Sequence, residues 1–239
     1  MIEKNQRLSM VYDFHTHTFL SDGALSPIEQ IRRAIVKGYT AIGLTDHVGL
    51  GNLADVLRQV ITDCALARRY WQIEVVAGVE ITHAPAASIA GLASYAKELG
   101  AAIVLVHGET LVEPVEPGTN MAAIKCPDVD VLAHPGLLTL EEAILAAQNG
   151  TFIEISARKG HSLSNGHLAN ICRQAGARLL VNSDAHSPED LLTTDFARAV
   201  ALGAGLAGSE IETVLVENPR RLLATLSAGA RRPDSNTCP

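Results

Sequence analysis

The tract Val11-Tyr-Asp-Phe-His-Thr-His-Thr-Phe-Leu-Ser-Asp-Gly23 is an apolar, β-prone run that ends in two histidines and a turn. Side chains alternate along a strand, so Asp13, His15 and His17 are expected on one face and Tyr12, Phe14 and Thr16 on the other. Neutral imidazole is the commonest ligand for zinc and similar metals, and a pair at i, i+2 grips one ion without distorting the backbone. Partners for that pair recur at the ends of later apolar runs: His47, Glu80, His107, His134, Glu154, Asp184 and His186. A single histidine at a strand end is more often a hydrogen-bonded structural residue than a ligand. Here six of nine histidines fall at such ends with carboxylates between them, which reverses the odds. Nitrogen and oxygen donors without thiolate suit zinc, manganese or iron. Counting Asp22 in the Ser-Asp-Gly turn, the donors exceed what one ion needs, and two or three divalent ions sharing a carboxylate are expected.

The elements that must present these groups alternate. The spacing predicts strands over residues 11–17, 40–47, 73–81, 102–107, 129–134, 151–156 and 178–184, with helices over about 26–37, 53–70, 87–99, 120–125, 139–148, 166–175, 188–202 and 219–226. Ser26-Pro27 with Glu29 reads as an N-cap, a proline at the first helical position and the far half of a capping box. Near-continuous apolar strands interleaved with helices indicate a parallel sheet buried on both faces, and a barrel closes such a sheet without exposed edges. The expected fold class is α/β. In such barrels the site lies at the C-terminal rim, where the donors fall. Parity agrees: Gly78 with Glu80, Leu105 with His107, and Asn182 with Asp184 and His186 share faces.

A length of 239 residues, 47% of them apolar, suits one domain with a large core. Residues 1–228 are expected to form that domain and residues 229–239, rich in Gly, Arg, Pro and polar side chains, a disordered tail. The net charge of −7 disfavours extended nucleic-acid binding, which needs clustered cations, although a short oligonucleotide end could still enter a metal site. No apolar run reaches the roughly 18 residues of a membrane span and the N-terminus lacks the order of a signal peptide, so no membrane association and a cytoplasmic location are the default expectations. Cys64, Cys126, Cys172 and Cys238 form no CxxC pair and read as reduced thiols.

The motifs Asp13-Phe-His-Thr-His17 with Ser21-Asp-Gly23, Thr45-Asp-His47, Gly78-Val-Glu80, Val106-His107, Ala133-His-Pro135 and Ser183-Asp-Ala-His186 together resemble the PHP (polymerase and histidinol phosphatase) family of metal-dependent phosphoesterases, from about Tyr12 to Pro219. The resemblance implies a distorted, TIM-barrel-like (β/α)7 barrel and a trinuclear site. His15, His17, Glu80 and Asp184 would hold one ion. Glu80 would bridge to a second, completed by His107 and His134, and Asp22, His47 and His186 would hold the third. It further implies phosphomonoester hydrolysis by a hydroxide held between metals, on a histidinol-phosphate-like or nucleotide substrate, with Glu80, Asp184 and His186 as catalytic residues.

Beyond the ligands, Asp13 is expected to fix an imidazole tautomer from behind, with a backbone-bonded strand carboxylate as the equal alternative. Glu154 could orient a ligand or substrate group. In the loop Ala157-Arg-Lys-Gly-His-Ser-Leu-Ser-Asn-Gly166, Arg158 is the candidate phosphate clamp, backed by Lys159 and His161. His83 reads as a locally bonded loop histidine and His167 as structural. The nearest rival enzyme is a TatD or amidohydrolase barrel, which needs neither His47 nor His186. A non-catalytic, metal-stabilised interaction module is the alternative of another class.

Overall fold

The computed structural model describes residues 10–229; of the tail expected over residues 229–239, Gly229 instead ends the last helix and residues 230–239 lie outside the described residues. The strands are β1 (Val11–Asp13), β2 (Tyr39–Leu44), β3 (His47–Val48), β4 (Glu74–Ile81), β5 (Ile103–His107), β6 (Val131–Ala133), β7 (Phe152–Ser156) and β8 (Leu179–Asn182). All pair in parallel in the order β1-β2-β4-β5-β6-β7-β8, with β3 pairing the C-terminal end of β4. The run at 40–47 is thus two strands rather than one, interrupted at Thr45–Asp46. Helices α1 (Pro27–Val36), α2 (Leu53–Tyr70), α3 (Ile89–Glu98), α4 (Thr119–Lys125), α5 (Leu140–Asn149), α6 (Asn165–Ala175) and α7 (Thr194–Gly203) connect the strands and follow the last of them. This is the expected α/β architecture: a seven-strand path curled nearly into a barrel with helices outside.

The core divides as a barrel requires. Tyr12, Phe14, Ala41, Val76, Ile103, Leu105, Val131, Phe152 and Leu180 form an inner cluster. The residues alternating with them, such as Val75, Val79, Val104, Val106, Leu132, Ile153 and Val181, pack outward with the helices. Full burial of a Leu, Ile or Val contributes about 1.5–3 kcal/mol, against about 1 kcal/mol for a helix cap. The apolar pattern therefore sets the architecture and the caps trim its ends. The Ser26 side chain accepts from the Glu29 amide, but the Glu29 carboxylate pairs with Arg33 instead of completing a box. The reciprocal box forms at Thr139 and Glu142, at the start of α5. At the other end of the chain, the expected 188–202 helix starts only at Thr194, because Asp190 accepts from the Ser187 amide and hydroxyl and the His186 amide, folding 186–190 into a turn. Thr193 then caps α7. Residues 203–218, expected as loop, hold α8 (Ser209–Glu212) and a π-helical stretch Thr213–Glu217 running into α9 (Asn218–Gly229), with Val214 and Val216 buried.

The barrel closes where β1 meets β8, and here simple alternation fails. β1 stops pairing regularly after Asp13, with only a bridge between Thr16 and Ala185 and a bond from the His17 amide to the Ala185 carbonyl. Phe14 follows Tyr12 into the barrel, so strict alternation would leave His15 outside with Asp13. The break turns His15 inward and leaves Asp13 on the seam. There the Asp13 carboxylate accepts from the Ser183 amide and hydroxyl and from the Tyr39 hydroxyl. Asp13 bonds no imidazole ring, so its expected tautomer-fixing role gives way to stitching β1 to β8. Among the described residues, no helix is long and apolar enough to cross a membrane. Cys64, Cys126 and Cys172 are free and buried.

Gly78 is one of several glycines required by contact. A Cβ on Gly78, inside the barrel, would lie 2.3 Å from the Ile103 carbonyl oxygen of the neighbouring strand. Gly78→Ala is expected to cost about 1–3 kcal/mol through overpacking, read from urea unfolding midpoints. Burial raises the Asp13 carboxyl to about 6 against the lowering effect of its Ser183 bonds. A carboxyl raised above its unfolded value of about 3.9 contributes stability that is complete below that value and is lost as pH rises through about 6. Relative to Asp13→Asn, the chelator-treated protein is therefore expected to lose up to about 3 kcal/mol between about pH 4 and about pH 7; equal pH dependence of the two would refute this.

Candidate metal centre

The strand ends converge on one cavity of about 390 Å³, walled by residues from six strand-end segments, including Asp22, His47, His83, His107, Glu113, Arg158, Asp184 and His186. Glu80, the last inward residue of β4, lies beneath it and is fully buried. Its Oε1 lies 3.3 Å from His15 Nε2 and 3.6 Å from His134 Nε2, and its Oε2 lies 2.6 Å from His47 Nδ1. Asp184, just past β8, brings Oδ1 to 3.2 Å from His17 Nε2 and 3.8 Å from His15 Nε2, and Oδ2 to 3.7 Å from His134 Nε2. Groups from separate strands thus face a shared space.

Backbone geometry aims several of them. Among the described residues, the non-glycine positions with positive φ are His83 (50°), His134 (28°) and Asp184 (53°), and all three border this cavity or its floor. His134 would face outward by strand parity; its left-handed turn swings the ring in. Such conformations cost about 1–3 kcal/mol each and persist where the surroundings over-determine them. Asp46 holds the Ser21-Asp-Gly23 turn in place, accepting from the Thr18 amide, the Thr18 hydroxyl and the Ser21 hydroxyl, so Asp22 reaches the rim.

Ring tautomers follow from what each nitrogen faces. His15 Nδ1 lies 2.8 Å from Glu154 Oε2, so Nδ1 carries a proton, and in the neutral ring Nε2 offers its lone pair to the cavity. Burial lowers His15, but the surrounding carboxylates outweigh it and hold the ring well above the usual imidazole value, so a cation there must displace the second proton. Asn182 steadies the Glu154 carboxylate from 2.9 Å. Glu154, and not Asp13, therefore stands behind an imidazole, a place that the sequence pattern offered to both. His47 Nδ1 likewise donates to Glu80 Oε2, leaving Nε2 at 3.6 Å from Asp22 Oδ1. For His186, Nδ1 lies 2.9 Å from the Asp184 carbonyl and 2.7 Å from Arg158 Nη1. The carbonyl demands a proton there and the guanidinium a lone pair, so ligation through Nε2 requires the carbonyl to win.

The charges are unbalanced in a way that a cation would relieve. Burial pushes the Glu80 carboxyl up, but His15, His47 and His107 outweigh it and hold it well below the usual range. Burial, with Glu80 and Glu154 alongside, holds Asp184 well above its usual range despite His15 and Arg158. Burial lowers His17 and His134 well below the usual imidazole value and lowers His107, leaving neutral rings with lone pairs to give. Burial likewise takes His161 down to about 4. Among the described residues, buried side-chain polar atoms without a hydrogen-bond partner are His15 Nε2, both nitrogens of His17, Glu80 Oε1, His107 Nδ1, His134 Nδ1 and Glu154 Oε1, together with Gln30 Oε1 elsewhere. Orphaned buried donors and acceptors are rare and costly, and their concentration here fits divalent ions.

Sets of donors close enough to hold one ion are His15, His17 and Glu80; His17, Asp22, His47 and His186; His107, His134 and His161; His15, His134 and Glu154; and His83, His107 and Glu113. All nine ligands named from sequence line or floor the cavity. Their partition differs in detail from the one the resemblance implies: His17 joins the Asp22 set as well as the His15 set, and no His107 ring nitrogen comes within 4.0 Å of a Glu80 oxygen. Of the substrate-clamp candidates, Arg158 borders Asp184 and His186. Lys159 is exposed and does not line the cavity, since its neighbour in sequence has already turned in. His161 does line the cavity behind Arg158: it is buried, stacked on His134 at 4.0 Å between centroids and bonded through Nδ1 to Thr110. Glu113 was not distinguished by the sequence, and His83 was read as structural. Their only signal is position, in loops following two strands that already end in donors. His167 bonds the Leu138 carbonyl, as a structural residue would.

A family model for the PHP domain matches residues 13–176, and the chain belongs to the PHP domain family. An uncharacterized protein of Methanocaldococcus jannaschii is 47% identical over 215 residues, covering 90% of this chain and 99% of that one. A probable phosphatase of Thermoanaerobacter sp. (strain X514) is 31% identical over 217 residues, covering 83% and 88% respectively. Among solved structures, a chain of archaeal ribonuclease P with mature tRNA aligns with a TM-score of 0.65 and 16% identity over 92% of this chain and 94% of that one. At that identity the likeness is one of fold.

Glu154→Gln removes the charge that orients His15 without emptying the position. Calorimetric titration of the chelator-treated chain with Zn²⁺ or Mn²⁺ is expected to show about 10–100-fold weaker binding than wild type; unchanged affinity would detach Glu154 from the centre.

Proposed function

We propose that this protein is a divalent-metal-dependent phosphoesterase acting on a small phosphorylated substrate, a phosphomonoester of the histidinol-phosphate or nucleotide kind, with a short oligonucleotide end as the second candidate. The observation that carries this reading is the buried pair Glu80 and Asp184, ringed by imidazoles under a cavity with Arg158 at its edge. The relative named a probable phosphatase supports the reaction class.

Bound ions, zinc, manganese or iron, would supply Lewis acidity toward the phosphate oxygens and an activated water at neutral pH. The chain's own part is to hold and orient. His15, His17, Glu80 and Asp184 present donors at the floor, His107 and His134 on one side, and Asp22, His47 and His186 on the other. Glu154 and Asn182 keep His15 in the ligating tautomer, and Glu80 does so for His47. The Arg158 guanidinium, one-third exposed and anchored to the Asp184 carbonyl at 3.2 Å, keeps donors for a phosphate oxygen facing the cavity. No side chain is needed as a covalent nucleophile. With a net charge of −7, the protein attracts no extended polyanion, and a small phosphate is drawn in locally by the ions and Arg158.

The test is a screen of phosphomonoesters, phosphodiesters and short oligonucleotides against the metal-restored chain. Asp184→Asn is expected to lower kcat by about 10³-fold, the several kcal/mol of electrostatic stabilisation that metal positioning supplies. Arg158→Ala is expected to raise KM by about 10-fold, the worth of one hydrogen bond to a charged group. Thermal stabilisation by metal with no hydrolysis of any phosphoester would instead make the chain a metal-stabilised interaction module, and cleavage of an amide alone would move it to the amidohydrolase type.

A further inference from the structure

The geometry points to an outer cation site, built by Glu113, His83 and His107, that the ligand set implied by the family motifs does not contain. Glu113 lies in the loop after β5. Its Oε2 is 3.1 Å from His107 Nε2 and 3.1 Å from His83 Nε2, and its Oε1 is 3.4 Å from His161 Nε2. Three imidazoles from three loops therefore aim the same ring nitrogen at one carboxylate, a convergence that a solvated surface acid does not need. The donor atoms of His83, His107 and Glu113 lie within 4.8 Å of one another, close enough to share an ion.

Two further observations favour a built site. His83 is held at φ 50°, a conformation shared among the described non-glycine residues only with His134 and Asp184, which belong to the inner centre. Across the set, His107 Nε2 faces Glu113, while no nitrogen of that ring reaches Glu80 within 4.0 Å. The ion on the His107 side thus takes its carboxylate from the loop after β5 rather than from β4. His83 and Glu113 are 41% and 37% exposed, so this ion is the one nearest solvent and nearest an entering substrate. A nitrogen-rich set with one carboxylate suits zinc, with manganese next.

The inference rests on reading the cavity as a metal centre and is independent of what the centre hydrolyses. ZnCl₂ and MnCl₂ are to be titrated into the chelator-treated full chain by calorimetry, with bound metal counted by elemental analysis after dialysis. Glu113→Gln is expected to lose one ion per chain, or to bind it at least about 10-fold more weakly. His83→Asn, chosen because asparagine tolerates positive φ, is expected to weaken the same ion, and the double variant to do no more than the stronger single one. Both positions are at the surface, so thermal melts of the metal-free variants should match wild type, which separates ligand loss from misfolding. Unchanged stoichiometry and affinity in Glu113→Gln would overturn the site even if the chain hydrolyses phosphoesters. Loss of the ion with no hydrolysis of any phosphoester would support the site and overturn the functional reading alone.

Discussion

Three carboxylates, Glu80, Glu154 and Asp184, are buried at the base of one cavity, where charge is costly unless it is compensated. Among the described residues no lysine nitrogen lies within 4.0 Å of them, and Arg158 reaches only Asp184 of the three. What surrounds them is imidazole, a group that compensates an anion only when protonated and binds a cation only when neutral. Burial drives most of these rings toward the neutral form, so in the metal-free chain the compensation is incomplete and several donors have no partner. The cavity is organised for cations, and the rest of the fold can be understood as the frame that keeps this unfavourable collection of groups together.

The frame is a parallel barrel whose inner layer of apolar side chains stops just below the carboxylates. Val76, Leu105, Phe152 and Leu180 fill the barrel, and the next inward positions on the same strands are Gly78, His107, Glu154 and Asn182. Gly78 lets β4 lie against β5 closely enough for Glu80 to reach the centre. The seam between β1 and β8 has few backbone bonds, and Asp13 supplies side-chain bonds to Ser183 across it while the Tyr39 hydroxyl of β2 holds the same carboxylate from the other side. A looser seam is what frees Phe14 and His15 from strict alternation, so that consecutive residues fill the barrel and floor the site. Stability and site geometry are joined at this point.

Electrostatic demands also explain why two tiers of residues are needed. A ring with a donor and an acceptor nitrogen has no fixed orientation until one nitrogen is engaged. Glu154 does this for His15, Glu80 for His47 and Thr110 for His161. Membership of the PHP family and the donor arrangement describe the same physical object from two directions: strand-end imidazoles and acids whose lone pairs share one space.

The sequence alone determined the class of fold, because a buried parallel strand must be apolar along its length and each interleaved helix must show its own period. Strand parity also carried Glu80, His107 and Asp184 to the same rim. It did not determine what depends on departures from regularity. Asp13 and His15 share a face by parity, yet the break after β1 separates them. His134 is inward only through a left-handed backbone turn, and the 186–190 turn delays α7 through a carboxylate that reads in sequence as helical. Loop residues were the least legible: Glu113 and Lys159 are both charged residues after strands, and only the tertiary path brings one over His107 and leaves the other in solvent. Periodicity is a local property that a sequence displays, whereas which loop side chain meets which ring is set by how separate strands are placed against each other, and no local pattern encodes that distance.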